Sequence, residues 1–443
     1  MTSRPGHGAL DKLHGRRIAV GPNRNTLAHR SIRVHDAVPA ASSHTELIPA
    51  GPAHRSAALD GLRGIAVMCV VLYHFHMPGD ELHHLVGGWA GVDIFFALSG
   101  FLITTLLLAE HERHGHIDLR AFYERRFWRL IPALVLLIVV YELVTVFIWW
   151  PGQGQAYAPL ARLQNIAMVF SGLLNWLGIA GQPTPPGFGG LWSLAVEDQF
   201  YFVWPLLLLT LLKHRGADRR LAYVRVLRIA LILASASALE CFVLFPSHHD
   251  QVRIYFATDT RAQGLLLGAA AAVVMRLVPP PRQLLSCALA VLGAATIALI
   301  VATVTDANAF RVEGSFTILA CSSVAVIMHC VWYPNSWLAA IISHRALQWL
   351  GRRSYAIYLW HVSIATFLYS ASPTSLSSTR GGWPAYLAGI ATTLVLAELS
   401  WQLVERRALA HSHRRRRASA NAEDMQHDST AAVGSAEMST ARA

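Results

Sequence analysis

The sequence predicts an all-α, polytopic membrane protein with about ten transmembrane helices plus one re-entrant or short segment. Three observations lead there. Charged residues make up 14% of the 443 and hydrophobic residues 54%, whereas a soluble domain carries about 25% charged residues. The apolar residues fall in runs of about 20, the length that crosses a bilayer as a helix. Lys and Arg collect at particular ends of those runs, as they do in cytoplasmic loops.

Residues 1–55 are polar and rich in Arg, His, Ser, Pro and Gly, with no apolar core of a signal peptide. They are expected to form a disordered cytoplasmic tail. The apolar runs then follow at 59–77, 89–109, 130–150, 163–181, 191–212, 226–246, 261–278, 284–304, 314–333, 353–371 and 384–404. Four connections are strongly basic: Arg120–Arg129, Lys213–Arg228, Arg276–Arg282 and His344–Arg353. If 163–181 crossed the bilayer, the Lys213–Arg228 loop would lie outside and every later loop would carry the wrong sign. If it does not cross, all basic loops and both tails lie inside. The run is also the most polar of the set, with Gln164, Asn165, Ser171 and Asn175. It is therefore expected to be re-entrant or short and buried against protein, giving ten spans with both termini cytoplasmic. A full span at 163–181 is the alternative. Residues 56–407 form the membrane domain, and 408–443 are expected to be a second disordered cytoplasmic tail, basic at Arg414 to Arg417 and then polar.

The net charge of +11 is accounted for by this topology, which argues against nucleic acid as a partner. The five cysteines sit in apolar runs without CxxC or CxxH spacing, so neither a metal site nor a disulfide framework is expected. A multi-pass protein of the cell membrane is the reading that composition supports.

Ionisable residues inside spans are costly and default to a functional hypothesis. Arg63 and His74 share the first span. Eleven helical steps are about three turns and a rise of about 16 Å, so both side chains point the same way. The second span opens on Asp93, the span at 191–212 carries Trp192, Ser193 and Glu197, and the next-but-one carries Arg261. The span at 353–371 holds Tyr355, Tyr358, Trp360 and His361. Arg125, Arg126 and Arg129 flank the inner end of the third span.

Six motifs occur in order: LDGLRGIAVMCVVLYHF from Leu59, GWAGVDIFFALSGFLIT from Gly88, FYERRFWRLIP from Phe122, LWSLAVEDQFYFVWP from Leu191, TDTRAQGLLLGAAAA from Thr258 and LGRRSYAIYLWH from Leu350. Together they resemble the acyltransferase family 3 membrane proteins, which O-acylate bacterial carbohydrates and some natural products. The resemblance covers roughly residues 55–407. It implies ten membrane helices, an acyl-CoA donor, commonly acetyl-CoA, and a carbohydrate or glycosylated acceptor. The chain departs from the family pattern at Glu405, where Arg406 and Arg407 follow in place of Glu-x-Pro. It departs again at Asp198, where Glu is usual. No hydrolase-like domain follows the last span, so a bare membrane enzyme is expected.

On that resemblance, Arg63 would bind a donor phosphate bidentately. His74 would sit at the far end of the donor's thin arm and act as general base or transient acyl carrier. For Arg125, Arg126 and Arg129 two readings stand: positive-inside charge, or a phosphate cradle beside Arg63. Asp93 either orients the His74 imidazole or is a carboxylate favoured by a helix N-terminus. Glu197 either serves the acceptor or pairs with Arg261 on a neighbouring helix. Trp192, Ser193, Arg261, Tyr355 and His361 complete the expected substrate-binding set. Ser193 lacks the GxSxG surroundings of an activated nucleophile. A secondary transporter is the alternative, and it would have no reason to bind acyl-CoA.

Overall fold

A computed structural model of the chain describes residues 56–75, 87–149, 159–213, 218–245, 251–304, 314–370, 382–411 and 414. The 1–55 tail and all but 408–411 and 414 of the 408–443 tail lie outside the described residues. Helices occupy almost all of what is described, and no strand occurs among those residues.

In chain order the helices are α1 Ala57–His74, α2 Ala90–His114, α3 Leu119–Val144, α4 Pro159–Phe170, α5 Leu174–Ile179, α6 Trp192–Leu212, α7 Arg219–Leu244 and α8 Gln251–Phe256. They continue with α9 Thr258–Leu277, α10 Gln283–Thr303, α11 Ser315–Trp332, α12 Trp337–Ile342, α13 Arg345–Arg352, α14 Ser354–Ser370 and α15 Gly382–Ser400. Their ends are set by ordinary capping chemistry. Asp118 accepts from the Ala121 N–H at 2.9 Å to start α3, and Asp218 accepts from the Arg220 N–H at 2.9 Å to start α7. Gly115, at φ 73°, closes α2 in the left-handed conformation.

Among the described residues, eight helices are long and apolar enough to cross a membrane: α1, α2, α3, α6, α7, α10, α11 and α15 with its flanking turns. The remaining two predicted spans are α9 and α14. The 17-residue α14 is apolar but short. Helix α9 opens on the polar stretch Thr258–Gln263, and it packs between α2, α7 and α11. Its polar face therefore meets protein. The outer surface is apolar instead, with Leu284 84% and Phe147 78% exposed, as lipid contact requires. The run at 163–181 is broken at Ser171–Leu173 into helices of 12 and 6 residues, with Gly172 at φ 67° in the break. Neither piece reaches the length of a span.

Close backbone approach fixes the centre. Gly100 of α2 lies against the Leu265 carbonyl of α9, and Gly268 of α9 against the Ala97 carbonyl of α2. A Cβ at either position would overlap the partner's backbone. This is the small-residue packing that membrane helices use where apolar burial supplies no drive. Helix α1 is seated the same way on α13, where Gly351 meets the Asp60 carbonyl. These contacts hold α1, α2 and α9 around the charged side chains described next.

Candidate active site

A cavity of about 330 Å³ opens among α1, α2, α3, α6 and α14. Its charged lining is Arg63, Arg126, Arg129, Glu197 and Asp198, three guanidinium groups against two carboxylates. Arg63 reaches it from α1, with Asp60 one turn back at 4.0 Å. Arg126 and Arg129 are three residues apart on α3 and so share a face.

Arg125 does not join them. Its guanidinium donates to Glu110 Oε2 at 3.2 Å, and it is absent from the cavity lining. Of the three arginines expected together beside Arg63, Arg126 and Arg129 line the cavity and Arg125 does not. Adjacent helical residues point about 100° apart, and here that turn sends Arg125 to Glu110 and Arg126 to the cavity.

Glu197 is held by two hydroxyls. Ser99 of α2 donates to its Oε2 at 3.0 Å, and Tyr201, one turn on, donates to the same oxygen. Tyr201 also lies 3.0 Å from Ser99 Oγ, and Arg126 stacks over the Tyr201 ring at 4.4 Å. Glu197 does not pair with Arg261. That guanidinium meets Asp93 at 3.0 Å, with side-chain exposures of 0% and 3%. Four rings surround it: Phe316 at 3.6 Å, Tyr255 at 5.4 Å, Phe96 at 5.5 Å and Trp192 at 5.8 Å from their centroids. Asp93, Arg261 and Trp192 therefore form a buried block behind the cavity rather than part of its wall.

The wall at the other end is built from Ser193 and Tyr358. Their hydroxyls are hydrogen-bonded, and Tyr358 also donates to the Gly190 carbonyl at 2.8 Å. Tyr355 lines the cavity too, and its hydroxyl donates to the Leu130 carbonyl at 2.8 Å. Behind Tyr358 stand two imidazoles. The His361 ring is 5.1 Å from Tyr358 and 4.8 Å from His74, edge to face. His361 Nδ1 lies 2.6 Å from the Tyr358 carbonyl, and His74 Nδ1 lies 2.9 Å from the Val70 carbonyl. A carbonyl only accepts, so both rings carry their proton on Nδ1 and present Nε2 as the basic nitrogen. His361 is fully buried and its Nε2 has no hydrogen-bond partner among the described residues. Arg63 thus lines the cavity directly, while His74 stands two rings beyond its far wall.

Of the residues singled out from sequence, Arg63, Arg126, Arg129, Ser193, Glu197, Tyr355 and Tyr358 meet at the cavity. Ser99, Tyr201 and Gln199 were missed. Ser99 and Tyr201 lie within two of the motifs, and the four-residue spacing of Glu197 and Tyr201 was the available signal. Gln199 ties the broken segment in place. It donates to the Gly172 carbonyl at 2.8 Å and to Asn175 Oδ1 at 3.0 Å, and accepts from Trp176 Nε1 at 3.1 Å. No group of three or more His, Cys, Asp or Glu side chains among the described residues is placed to hold a metal ion.

Fold and site together define a class: an α-helical, multi-pass membrane protein with a charged chamber enclosed by its spans. The chain belongs to the acyltransferase family 3, whose acyltransferase-domain model matches residues 56–400. It is therefore one of a family of acyl-transferring enzymes. It is 36% identical over 358 residues to the peptidoglycan O-acetyltransferase OatA of Listeria monocytogenes, covering 79% of this chain and 55% of that protein. It is 34% identical to the putative peptidoglycan O-acetyltransferase YrhL of Bacillus subtilis, covering 79% and 54%. A putative O-acetyltransferase of Staphylococcus aureus is 31% identical, covering 78% and 56%. The chain spans about half the length of these curated relatives. No solved structure matches it.

Proposed function

We propose that the chain moves an acyl group, acetyl in the simplest case, from cytoplasmic acyl-CoA to a hydroxyl of a carbohydrate or glycosylated acceptor. The observation that carries this reading is the lining of the chamber, with the guanidinium groups of Arg63, Arg126 and Arg129 and the hydroxyl pair of Ser193 and Tyr358, behind which the two imidazoles stand. A chamber of about 330 Å³ suits the thin thioester-bearing arm of the donor, with the phosphates gathered at its mouth by Arg63, Arg126 and Arg129.

In this reading the thioester passes the Ser193–Tyr358 pair and comes to rest beside His74, which lies beyond that wall behind His361. Nε2 of His74 takes the acceptor hydroxyl proton, the oxygen attacks the carbonyl, the C–S bond breaks, and the imidazolium returns a proton to the departing thiolate. A transient acyl-enzyme on the same imidazole leads to the same products. Glu197, fixed by Ser99 and Tyr201, supplies a preset acceptor for a substrate hydroxyl. Asp93 and Arg261 act by holding α2 against α9. The arginine-lined mouth faces the cytoplasm, consistent with the basic loops, and both termini lie on that side.

The acceptor is found by mass spectrometry of envelope glycans and secreted metabolites from a deletion strain. Loss of one acyl mass increment from a glycan, restored by the wild-type gene and not by His74→Ala, is the expected result. An unchanged acylation profile in the deletion strain refutes the reading.

A further inference from the structure

A second cavity, about 780 Å³, runs along the outside of the bundle between α6, α7 and α9. Gly172 and Asp198 line both it and the chamber. The partition follows from helical geometry. Successive residues of α6 point about 100° apart, so Glu197 faces the chamber, Gln199 faces the groove, and Asp198 between them borders both.

The groove is zoned. Phe202, Val203, Leu207 and Leu233 line its length, and Phe202 and Val203 are 64% and 58% exposed. Glu240 and Asp259, bridged by Arg253, mark one end, and Asp198 lies where the groove borders the chamber. Helices α6 and α9 begin at that end and α7 finishes there, so the polar end is a single level in the membrane. From Asp198 to Leu207 is nine helical steps, a rise of about 14 Å, close to half the hydrocarbon thickness of a bilayer. A lipid of one leaflet fits that length, with its head against the carboxylates.

The charge at the head decides which lipid. Arg253 donates to Glu240 at 2.8 Å and to both Asp259 oxygens at 2.7 Å. Its guanidinium also lies 5.3 Å from the Trp176 ring centroid. Among the described residues two carboxylates against this one guanidinium leave a net negative charge, which disfavours a phosphate or diphosphate head. They accept hydrogen bonds from the hydroxyls of an uncharged sugar.

We infer that this groove seats the acceptor: a lipid-anchored carbohydrate with an uncharged, hydroxyl-rich head, whose tail lies along α6 and α7 and whose sugar reaches the chamber past Asp198. The assignment of the occupant as acceptor rests on the O-acyl transfer reading; the binding preference does not.

The test uses the full chain in phosphatidylcholine nanodiscs with two photoreactive lipids of identical diazirine-bearing tails, a glucosyl-diacylglycerol and a phosphatidylglycerol. Cross-linked peptides of Arg219–Leu244 and Thr258–Leu277 are quantified by mass spectrometry. The glucosyl probe is expected to label them about tenfold more than the phosphatidylglycerol. Ala236 is exposed in the groove wall and absent from the chamber lining. Ala236→Trp should therefore cut glucosyl labelling about tenfold while acetyl-CoA binding is unchanged, which also shows the variant is folded. Equal labelling by both lipids, marking the groove as ordinary boundary lipid, overturns the inference. Undiminished labelling of Ala236→Trp does the same. Absence of acetyl-CoA binding by the wild-type chain would instead refute the transfer reading and leave the labelling preference standing.

Discussion

The pair of Asp93 and Arg261 gives the most quantitative prediction. The guanidinium and carboxylate meet at 3.0 Å with side chains 0% and 3% exposed. Removing one partner of such a pair leaves an uncompensated charge and costs about 3–5 kcal/mol. The two halves are not equivalent. After Asp93→Asn the cation keeps four aromatic faces, with Phe316 at 3.6 Å, and each face recovers about 0.5–2 kcal/mol in a desolvated site. After Arg261→Met the carboxylate loses the guanidinium that meets it at 3.0 Å. We expect a loss of about 3 kcal/mol for Asp93→Asn, cushioned by the rings, and about 3–5 kcal/mol for Arg261→Met. The double variant should fall short of the sum by about 2–3 kcal/mol. Reversible unfolding of the detergent-solubilised chain, followed by tryptophan fluorescence, measures all three. Losses under about 1 kcal/mol for either single variant, or additive losses, would refute the structural role given to the pair.

The arginines separate cleanly. Arg63→Gln and Arg126→Gln should each raise the KM for acetyl-CoA about tenfold or more, the worth of one charge-assisted phosphate contact, whereas Arg125→Gln, facing Glu110, should stay within about twofold; initial rates decide. Glu197→Gln is expected to lower kcat about 100-fold with unchanged helical circular dichroism. Gly268→Leu should block the approach of α9 to α2, read as loss of monodisperse protein in size-exclusion chromatography. Gln199→Leu releases the link between α5 and α6, so limited proteolysis at the 171–173 break should accelerate while the bundle stays intact.

Much of the fold was legible because its causes are local. Run length and Lys/Arg placement locate the spans, and the polar residues of 163–181 mark a segment that breaks at Ser171–Leu173 rather than crossing. The site was legible where a motif places a charge inside an apolar run, as at Arg63 and Glu197. It was not legible where helix rotation decides. Arg125 and Arg126 are chemically alike and adjacent, yet one meets Glu110 and the other Tyr201. Pairings between distant spans were equally hidden. Arg261 had two carboxylates within reach of a sequence argument, Asp93 and Glu197. The choice between them follows from the glycine contacts that set α9 against α2. Glu197 in turn is satisfied by the Ser99 and Tyr201 hydroxyls, groups whose partners have no sequence period to reveal them.

One donor molecule held by Arg63 at its phosphate end and by His74 at its acyl end should respond differently to loss of each residue, and binding and turnover measured side by side test this most directly. With labelled acetyl-CoA and the purified chain, His74→Ala should bind the donor within about twofold of wild type and lose transfer by about 100-fold or more, as removal of a general base does. Arg63→Gln should show the reverse order of effects, weakened binding with residual transfer at saturating donor. Transfer at the wild-type rate by His74→Ala would contradict the account.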